Sequence, residues 1–297
     1  MILVTGGTGF VGSKVVHALR AEEQPVRVLA RNAKQAETAA NWGCQVIEGD
    51  MTDAASLRRA VSGCEAVIDL VAIITGSRQD FERVMIQGTR DLVAAAKEAG
   101  VKRFVLMSAL GVSERTKDLT HYFHAKWDEE QAVQSSGLEY VIFRPSFIFG
   151  ADGGSLPIYI RQVRWSPVIT VIGDGTRRLQ PIWVDDVAAF FAKSFSTPEA
   201  VNKTFELAGP DVVTWDELYE RIRRVLGKRR ARVHLPYGLV RVGAAVVEKL
   251  PVGLPLSRDA VTMLEFEDNI TDIRPAVETF GIEPISLDEQ LRRAVAA

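Results

Sequence analysis

The chain has 297 residues, 47% of them apolar and 25% charged, which excludes wholesale disorder and provides enough chain for a self-sufficient hydrophobic core. A net charge of -2 excludes the basic overall footprint of a general nucleic-acid binder. Two cysteines, Cys44 and Cys64, exclude a disulfide framework and a paired Cys-x-x-Cys zinc pattern, and suit a reducing compartment.

Met1-Ile2-Leu3-Val4-Thr5 runs directly into Gly6, with no basic stretch and no cleavage site after an apolar run. The first half then alternates short apolar runs with longer amphipathic ones. Ile2–Val4, Val26–Leu29, Gln45–Ile47, Ala66–Ile68, Arg103–Leu106 and Tyr140–Phe143 read as six strands, bounded by Gly, Asp or Pro. Val11, Val15, Val16 and Leu19 recur at helical spacing, and a second such pattern spans Val84 to Ala99. Strand–helix alternation with nearly all-apolar strands predicts a doubly wound α/β domain, its parallel sheet covered on both faces.

Thr5-Gly6-Gly7-Thr8-Gly9-Phe10-Val11-Gly12 follows the first strand and opens the first helix. Glycines there permit a sharp turn, close approach to a pyrophosphate and tight helix–strand packing, while the helix N-terminus offers free N–H groups to phosphate. In this strand–turn–helix setting the pattern predicts dinucleotide binding. The second strand ends Leu29-Ala30-Arg31-Asn32, with no carboxylate before Glu37 to accept a ribose hydroxyl. Arg31 instead offers a planar fork of donors to a 2′-phosphate, so NADP(H) is expected over NAD(H).

Tyr122 and Lys126 stand at i, i+4 and share one face of a helix after the fifth strand. His121 and His124 lack a third ligand, so they are expected as solvated side chains and no metal is expected. After Gly150 the alternation lapses. Ala151-Asp152-Gly153-Gly154 and Gly173-Asp174-Gly175 are turns, Arg178 to Trp183 reads as a returning strand, and a helix runs from Val184 to Phe195. Lys203–Leu207 reads as a strand, and Thr214 with Glu217 as the capping box of a further helix. Trp165 and Trp183 are expected in the core or in a cleft wall. The run Arg221, Arg223, Arg224, Lys228, Arg229, Arg230 and Arg232 precedes an apolar stretch, Leu235 to Leu250, that Arg241, Glu248 and Lys249 break. That stretch is no spanning helix, but a basic run beside it suits an anionic membrane surface or an acidic partner. The expected location is cytoplasmic, at most peripheral to the inner face of a membrane.

The opening turn resembles the Thr-Gly-x-x-Gly-x-x-Gly of extended and atypical short-chain dehydrogenase/reductases. The resemblance continues through Gly49-Asp50, Gln87-Gly88-Thr89, Arg144-Pro145-Ser146 and Val184-Asp185-Asp186-Val187-Ala188. Leu254-Pro255-Leu256-Ser257-Arg258-Asp259, Met263-Leu264 and Asp268-Asn269 are most similar to the subfamily of the nucleotide-binding accessory subunit of respiratory complex I and its bacterial relatives. The resemblance implies a Rossmann domain over residues 1–150 and 176–208, and a smaller α+β substrate or interaction region over 151–175 and 209–297. It implies a nucleotide held by Gly6, Gly7, Thr8, Gly9, Phe10, Val11 and Gly12, by Arg31 and Asn32, and by Asp50 and Met51. Leu70, Val71 and Ala72, then Met107 and Lys126, then Pro145, Phe147 and Ile148 complete that set.

Tyr122, Lys126 and Ser108 are the implied catalytic residues, with Tyr122 as general acid/base and Lys126 lowering its pKa. Two departures weigh on turnover: Ala109 stands where the substrate-orienting hydroxyl often lies, and the turn after the fourth strand is apolar. Two functions follow. One is an accessory or assembly component of a respiratory or quinone-related system with a structural nucleotide. The other is an NADP(H)-dependent reductase or epimerase for a small carbonyl or lipid-like substrate.

Overall fold

The computed structural model describes residues 1–247 and 258–297. Its first half runs β1 (Ile2–Thr5), α1 (Phe10–Ala21), β2 (Val26–Ala30), α2 (Glu37–Asn41), β3 (Gln45–Glu48), α3 (Ala54–Val61), β4 (Ala66–Asp69), α4 (Arg78–Phe81), α5 (Gly88–Glu98), β5 (Arg103–Met107), α6 (His121–Gln134) and β6 (Glu139–Pro145). It continues through β7 (Ile148–Phe149), α7 (Leu156–Trp165), β8 (Val168–Ile172), β9 (Arg178–Leu179), β10 (Ile182–Trp183), α8 (Val184–Lys193), β11 (Lys203–Leu207), β12 (Val213–Thr214), α9 (Trp215–Leu226), β13 (Ala231–Leu235), α10 (Tyr237–Val247), α11 (Arg258–Phe266), α12 (Arg274–Phe280) and α13 (Leu287–Ala296). Two compact units result. The first comprises Met1–Pro145, Val184–Leu207 and Arg274–Glu283; the second comprises Ser146–Trp183, Ala208–Ile273 and Pro284–Ala297.

In the first unit, among the described residues, seven strands form one sheet in the order β11-β6-β5-β4-β1-β2-β3, every pairing parallel. β1 and β4 are buried at every residue, as strands covered on both faces must be, whereas the edge strand β3 is exposed at both ends. On one side α3 packs on α5 and α5 on α6, over a core that includes Leu3, Leu57, Val67, Leu92, Phe104 and Ile142. The segment read as one helix from Val84 to Ala99 is two pieces, preceded by the short α4. α4 leads into a π-helical stretch over Glu82–Gln87, and α5 begins only at Gly88. A Cβ at Gly88 would lie 3.1 Å from the Met51 carbonyl oxygen, so the glycine lets this helix approach the β3–α3 connection.

An aromatic cluster gathers elements far apart in sequence. Phe143 on β6 lies 4.8 Å, ring centre to ring centre, from Phe191 on α8 and 5.5 Å from Phe280 on α12. Phe280 also meets Phe205 on β11 at 5.0 Å and Phe190 at 5.5 Å. This burial ties Arg274–Glu283 to the first unit.

The second unit holds short pairings: β7 with β10, β9 with β12, and β8 with β13. The returning strand expected over Arg178 to Trp183 is interrupted at Gln180-Pro181. Pro181 has no N–H to donate to a ladder, and the buried Gln180 side chain donates to Gly209 O and accepts from Thr271 N. Residues 176–183, which the resemblance groups with the Rossmann domain, lie in the second unit with these pairings. The Thr214–Glu217 capping box forms reciprocally at 2.8 and 3.2 Å. Trp183 is buried in the core, whereas Trp165, 75% exposed, stands at the edge of a cavity in the second unit.

Phe280→Ala is expected to cost about 3–5 kcal/mol, the usual range for a truncated core phenylalanine. Urea unfolding of the two proteins measures it, and a difference below about 1 kcal/mol would mean α12 contributes little to the core.

Candidate functional site

The strand order reverses between β1 and β4, and ligands of open parallel sheets bind outside the strand ends at such a reversal. Thr5 and Asp69 end these two strands and lie opposite one another in register. The buried Thr5 hydroxyl donates to Asp69 Oδ1 at 2.7 Å. Gly6 follows with φ at +68°, where a Cβ would come within 2.9 Å of the Leu70 carbonyl carbon. A Cβ at Gly12 would stand 2.0 Å from Gly6 O, so only glycine permits the turn to fold onto the first helical turn. Gly9 N-caps α1 without a side-chain cap, and no acidic residue lies in the first turn. The leading N–H groups of Phe10, Val11 and Gly12 have no carbonyl partner within the helix and suit a pyrophosphate. Thr8 and Gly9 are exposed beside them and Gly7 is buried against Val28 and Val16.

Arg31 and Asn32, after β2, are exposed. The Arg31 guanidinium has no hydrogen-bond or ion-pair partner among the described residues, whereas the Asn32 side chain is committed to Lys34 N. Burial pushes the Asp50 carboxyl up, but hydrogen bonds from Thr52 and the charges of Arg31 and Arg83 leave it below the usual range. Met51 is buried in the core, so only its main chain is open to a ligand. The Leu70 backbone faces Gly6, Val71 N donates to Asp69 Oδ1, and Ala72 is exposed.

Thr120 caps α6 by accepting from Phe123 N, which sets the helix that carries Tyr122 and Lys126. Lys126 is fully buried. Its Nζ donates to Met107 O at 2.8 Å and to Glu129 Oε2 at 2.9 Å. The Thr89 hydroxyl donates to Asp69 Oδ2 at 2.9 Å and its oxygen lies 3.4 Å from Glu129 Oε1. One buried polar chain thus runs Thr5, Asp69, Thr89, Glu129, Lys126, Met107. Burial would lower the Lys126 ammonium, but Glu129, Tyr122 and Asp69 together raise it above the ordinary lysine value. Burial raises Glu129 to about 7, against the pull of Lys126 and reinforced by Asp69. Tyr122 is half-buried against the cluster of Phe81, Met85, Ile86 and Ala125. Burial raises its phenol, and Glu129 works against the lowering effect of Lys126, so the depression implied by the resemblance is not what these surroundings produce.

Ser108 follows β5 with its N–H on Phe143 O, and its buried hydroxyl has no partner among the described residues. Pro145 O accepts from Leu110 N. Phe147 and Ile148 belong to the second unit, where Phe147 packs edge-on against Trp215 and Ile148 pairs with Ile182.

Glu129 was missed by sequence reasoning, although its position was legible: residues three, four and seven beyond Lys126 share its helical face, which made Glu129, Glu130 and Val133 candidates for burial. Glu130, also buried, holds Arg144 through two hydrogen bonds of 2.8 and 2.6 Å.

Residues 6–198 match the family described as NAD(P)H-binding. The chain belongs to that NAD(P)H-binding family. It is 30% identical over 305 residues to NADH dehydrogenase (ubiquinone) 1 alpha subcomplex subunit 9, mitochondrial, of Mus musculus, covering 98% of this chain and 79% of that protein. It is likewise 30% identical over 249 residues to the ceramide reductase of Caulobacter vibrioides, covering 83% of this chain and 77% of that protein. Among solved structures, the NADPH-dependent quinone oxidoreductase of Escherichia coli in complex with NADPH shares the fold, with a TM-score of 0.80, 23% identity and 98% of both chains covered. The uncapped helix terminus, the glycine turn and Arg31, without a partner among the described residues, fit the family's nucleotide.

Elsewhere, His121 is exposed and His124 partly so. Among the described residues no group of three or more His, Cys, Asp or Glu could hold a metal. No described helix is long and apolar enough to cross a membrane. In the basic run, Arg221 pairs with Asp211 and Asp288, and Arg223 with Glu220. Arg230 and Arg232 donate to main-chain carbonyls, while Arg224, Lys228 and Arg229 are exposed. In the apolar stretch that follows, Leu239 and Val242 are 60% and 66% exposed and Val240 is buried. The side chains of Val246 and Val247 and the motif from Leu254 to Ser257 lie outside the described residues.

The raised Glu129 sets a pH dependence. The folded state holds a proton there that the unfolded chain releases near 4.5, so this contribution is complete below about 4.5 and is lost as pH rises through about 7. Unfolding free energies of wild type and Glu129→Gln, measured from pH 4 to 8, should therefore converge or cross, the wild type losing on the order of 3 kcal/mol relative to the variant. A pH-independent difference would mean Glu129 titrates normally.

Proposed function

We propose that the chain holds NADP(H) as a long-lived bound ligand and acts as an accessory component of a membrane-associated respiratory or quinone-related assembly. One observation carries this reading: the Lys126 ammonium commits two of its three N–H donors to Glu129 and the Met107 carbonyl, and the Tyr122 phenol beside it is raised rather than lowered. A phenol whose pKa is raised is a weaker proton donor to a carbonyl, which supports a bound nucleotide over turnover. Similarity to the complex I subunit supports the accessory role, and the exposed Leu239 and Val242 supply apolar surface for a contact in such an assembly. Arg31, exposed and without a protein partner, favours a 2′-phosphate over the bare ribose.

The purified chain should release NADP(H) on denaturation. Arg31→Ala should lower affinity for NADPH about ten- to a hundredfold while leaving NADH nearly unchanged, since one charge-assisted bond is worth about 1.5–3 kcal/mol. Calorimetric titration decides it; an equal loss for both nucleotides would remove Arg31 from the 2′-phosphate.

The unpartnered Ser108 hydroxyl favours a second reading, an NADP(H)-dependent reductase or epimerase for a small carbonyl or lipid-like substrate with Tyr122 as acid. Under it, NADPH oxidation with a panel of aldehydes, ketones and benzoquinones should fall at least tenfold in Tyr122→Phe with nucleotide affinity kept. Turnover that survives unchanged in that variant would require another acid.

A further inference from the structure

The second unit contains a cavity of about 670 Å³ whose lining residues all belong to that unit and include none of the nucleotide-binding candidates. Its size falls within the few hundred to a thousand Å³ typical of small-molecule sites. Tyr159, Trp215 and Tyr219 form one wall. Tyr159 meets Trp215 at 5.5 Å and Tyr219 at 5.9 Å, both at steep angles. Such edge-to-face packing holds the rings apart as a rigid frame. Ile172, Leu235, Val240 and Leu264 supply aliphatic surface from four other elements.

The polar atoms of the lining are largely satisfied by one another. The Tyr219 hydroxyl donates to Gln162 Oε1 at 2.7 Å, and Gln162 Nε2 donates to Thr170 O. Burial pushes the Tyr159 phenol up to about 12 and Tyr219 higher still, so both are neutral across the physiological range. No unsatisfied buried side-chain atom among the described residues lines this space. Water needs two to four polar partners to occupy a cavity stably, and this lining offers few.

The lip differs from the interior. Ile158, Arg161 and Trp165 come from one face of α7, at spacings of three and four residues, and Trp165 is 75% exposed. Arg161 is exposed, and its guanidinium has no hydrogen-bond or ion-pair partner among the described residues. An apolar chamber with an uncommitted cation and an amphipathic ring at its mouth matches a molecule that is hydrocarbon at one end and anionic at the other.

We propose that this cavity binds a single-chain anionic amphiphile, its hydrocarbon chain among Tyr159, Trp215 and Val240 and its carboxylate or phosphate head on Arg161. The site is independent of whether the bound nucleotide turns over.

The test uses the full chain and lipids below their aggregation concentrations. Dibromostearate should quench tryptophan fluorescence saturably at one molecule per chain, and laurate and dodecyl phosphate, matched in chain length, should both displace it. Whichever of the two binds tighter identifies the head group as carboxylate or phosphate. Dodecanol, with no charge, should bind about ten- to a hundredfold more weakly than dodecyl phosphate. Arg161→Glu, at an exposed position that leaves the fold intact, should weaken both anions by a similar factor and leave dodecanol unchanged. Ile158→Glu, at the apolar lip, should weaken all of them. Absence of saturable quenching, dodecanol binding as tightly as the anions, or anion binding unaltered in Arg161→Glu would each overturn the proposal.

Discussion

The hydrogen bond between Thr5 and Asp69 is the constraint on which the first unit's site depends. It joins the ends of β1 and β4 where the strand order reverses, and both groups are buried. A buried carboxylate needs partners for each oxygen, and Asp69 finds them in Thr5, the Val71 amide and Thr89. The same side chain therefore aligns β1 with β4, fixes the turn after β4 and holds α5. Because Gly6 lies against that turn, the phosphate-binding loop is shaped by contacts on its far side as well as by its own glycines.

From Asp69 the polar chain continues through Thr89 and Glu129 to Lys126. Two buried carboxylates share one buried ammonium there, and the imbalance is relieved by lifting Glu129 toward neutrality. This changes the meaning of the Tyr-x-x-x-Lys spacing. The spacing puts both side chains on one helical face, but what they can do is set by a third residue on that face. With Glu129 2.9 Å away, the Lys126 ammonium is drawn into a buried pair within the protein. The bidentate Arg144–Glu130 pair from the same turn of α6 fastens the helix to β6, so the acidic run at Asp128, Glu129 and Glu130 is structural as much as solvated.

The second unit is organised by aromatic packing instead of a continuous sheet. Its strands pair two at a time, and Phe149, Tyr159, Trp215 and Tyr219 provide the rigid surfaces around which α7 and α9 gather. Tyr159, Trp215 and Tyr219 also line the cavity of about 670 Å³, so the rings that frame this unit's core face that space as well.

The sequence by itself determined the parallel α/β architecture, the nucleotide loop and the helical face shared by Tyr122 and Lys126. Each of these rests on local periodicity or on spacing within a few residues: all-apolar strands, glycines in a strand–turn–helix setting, and an i, i+4 pair. Tertiary structure alone decided the rest, because it depends on contacts between distant segments. Phe280 returns from the C-terminal region to pack on Phe143 and Phe205. Gln180 and Pro181 break a strand that pattern alone would continue, since the Gln180 side chain reaches Gly209 and Thr271. Glu129 meets Lys126 in one buried polar chain only because Thr89 and Asp69, some sixty residues apart from it at the farthest, close the same space. Periodicity records which face of an element is apolar, whereas the partner of a buried charge is set by how the faces meet.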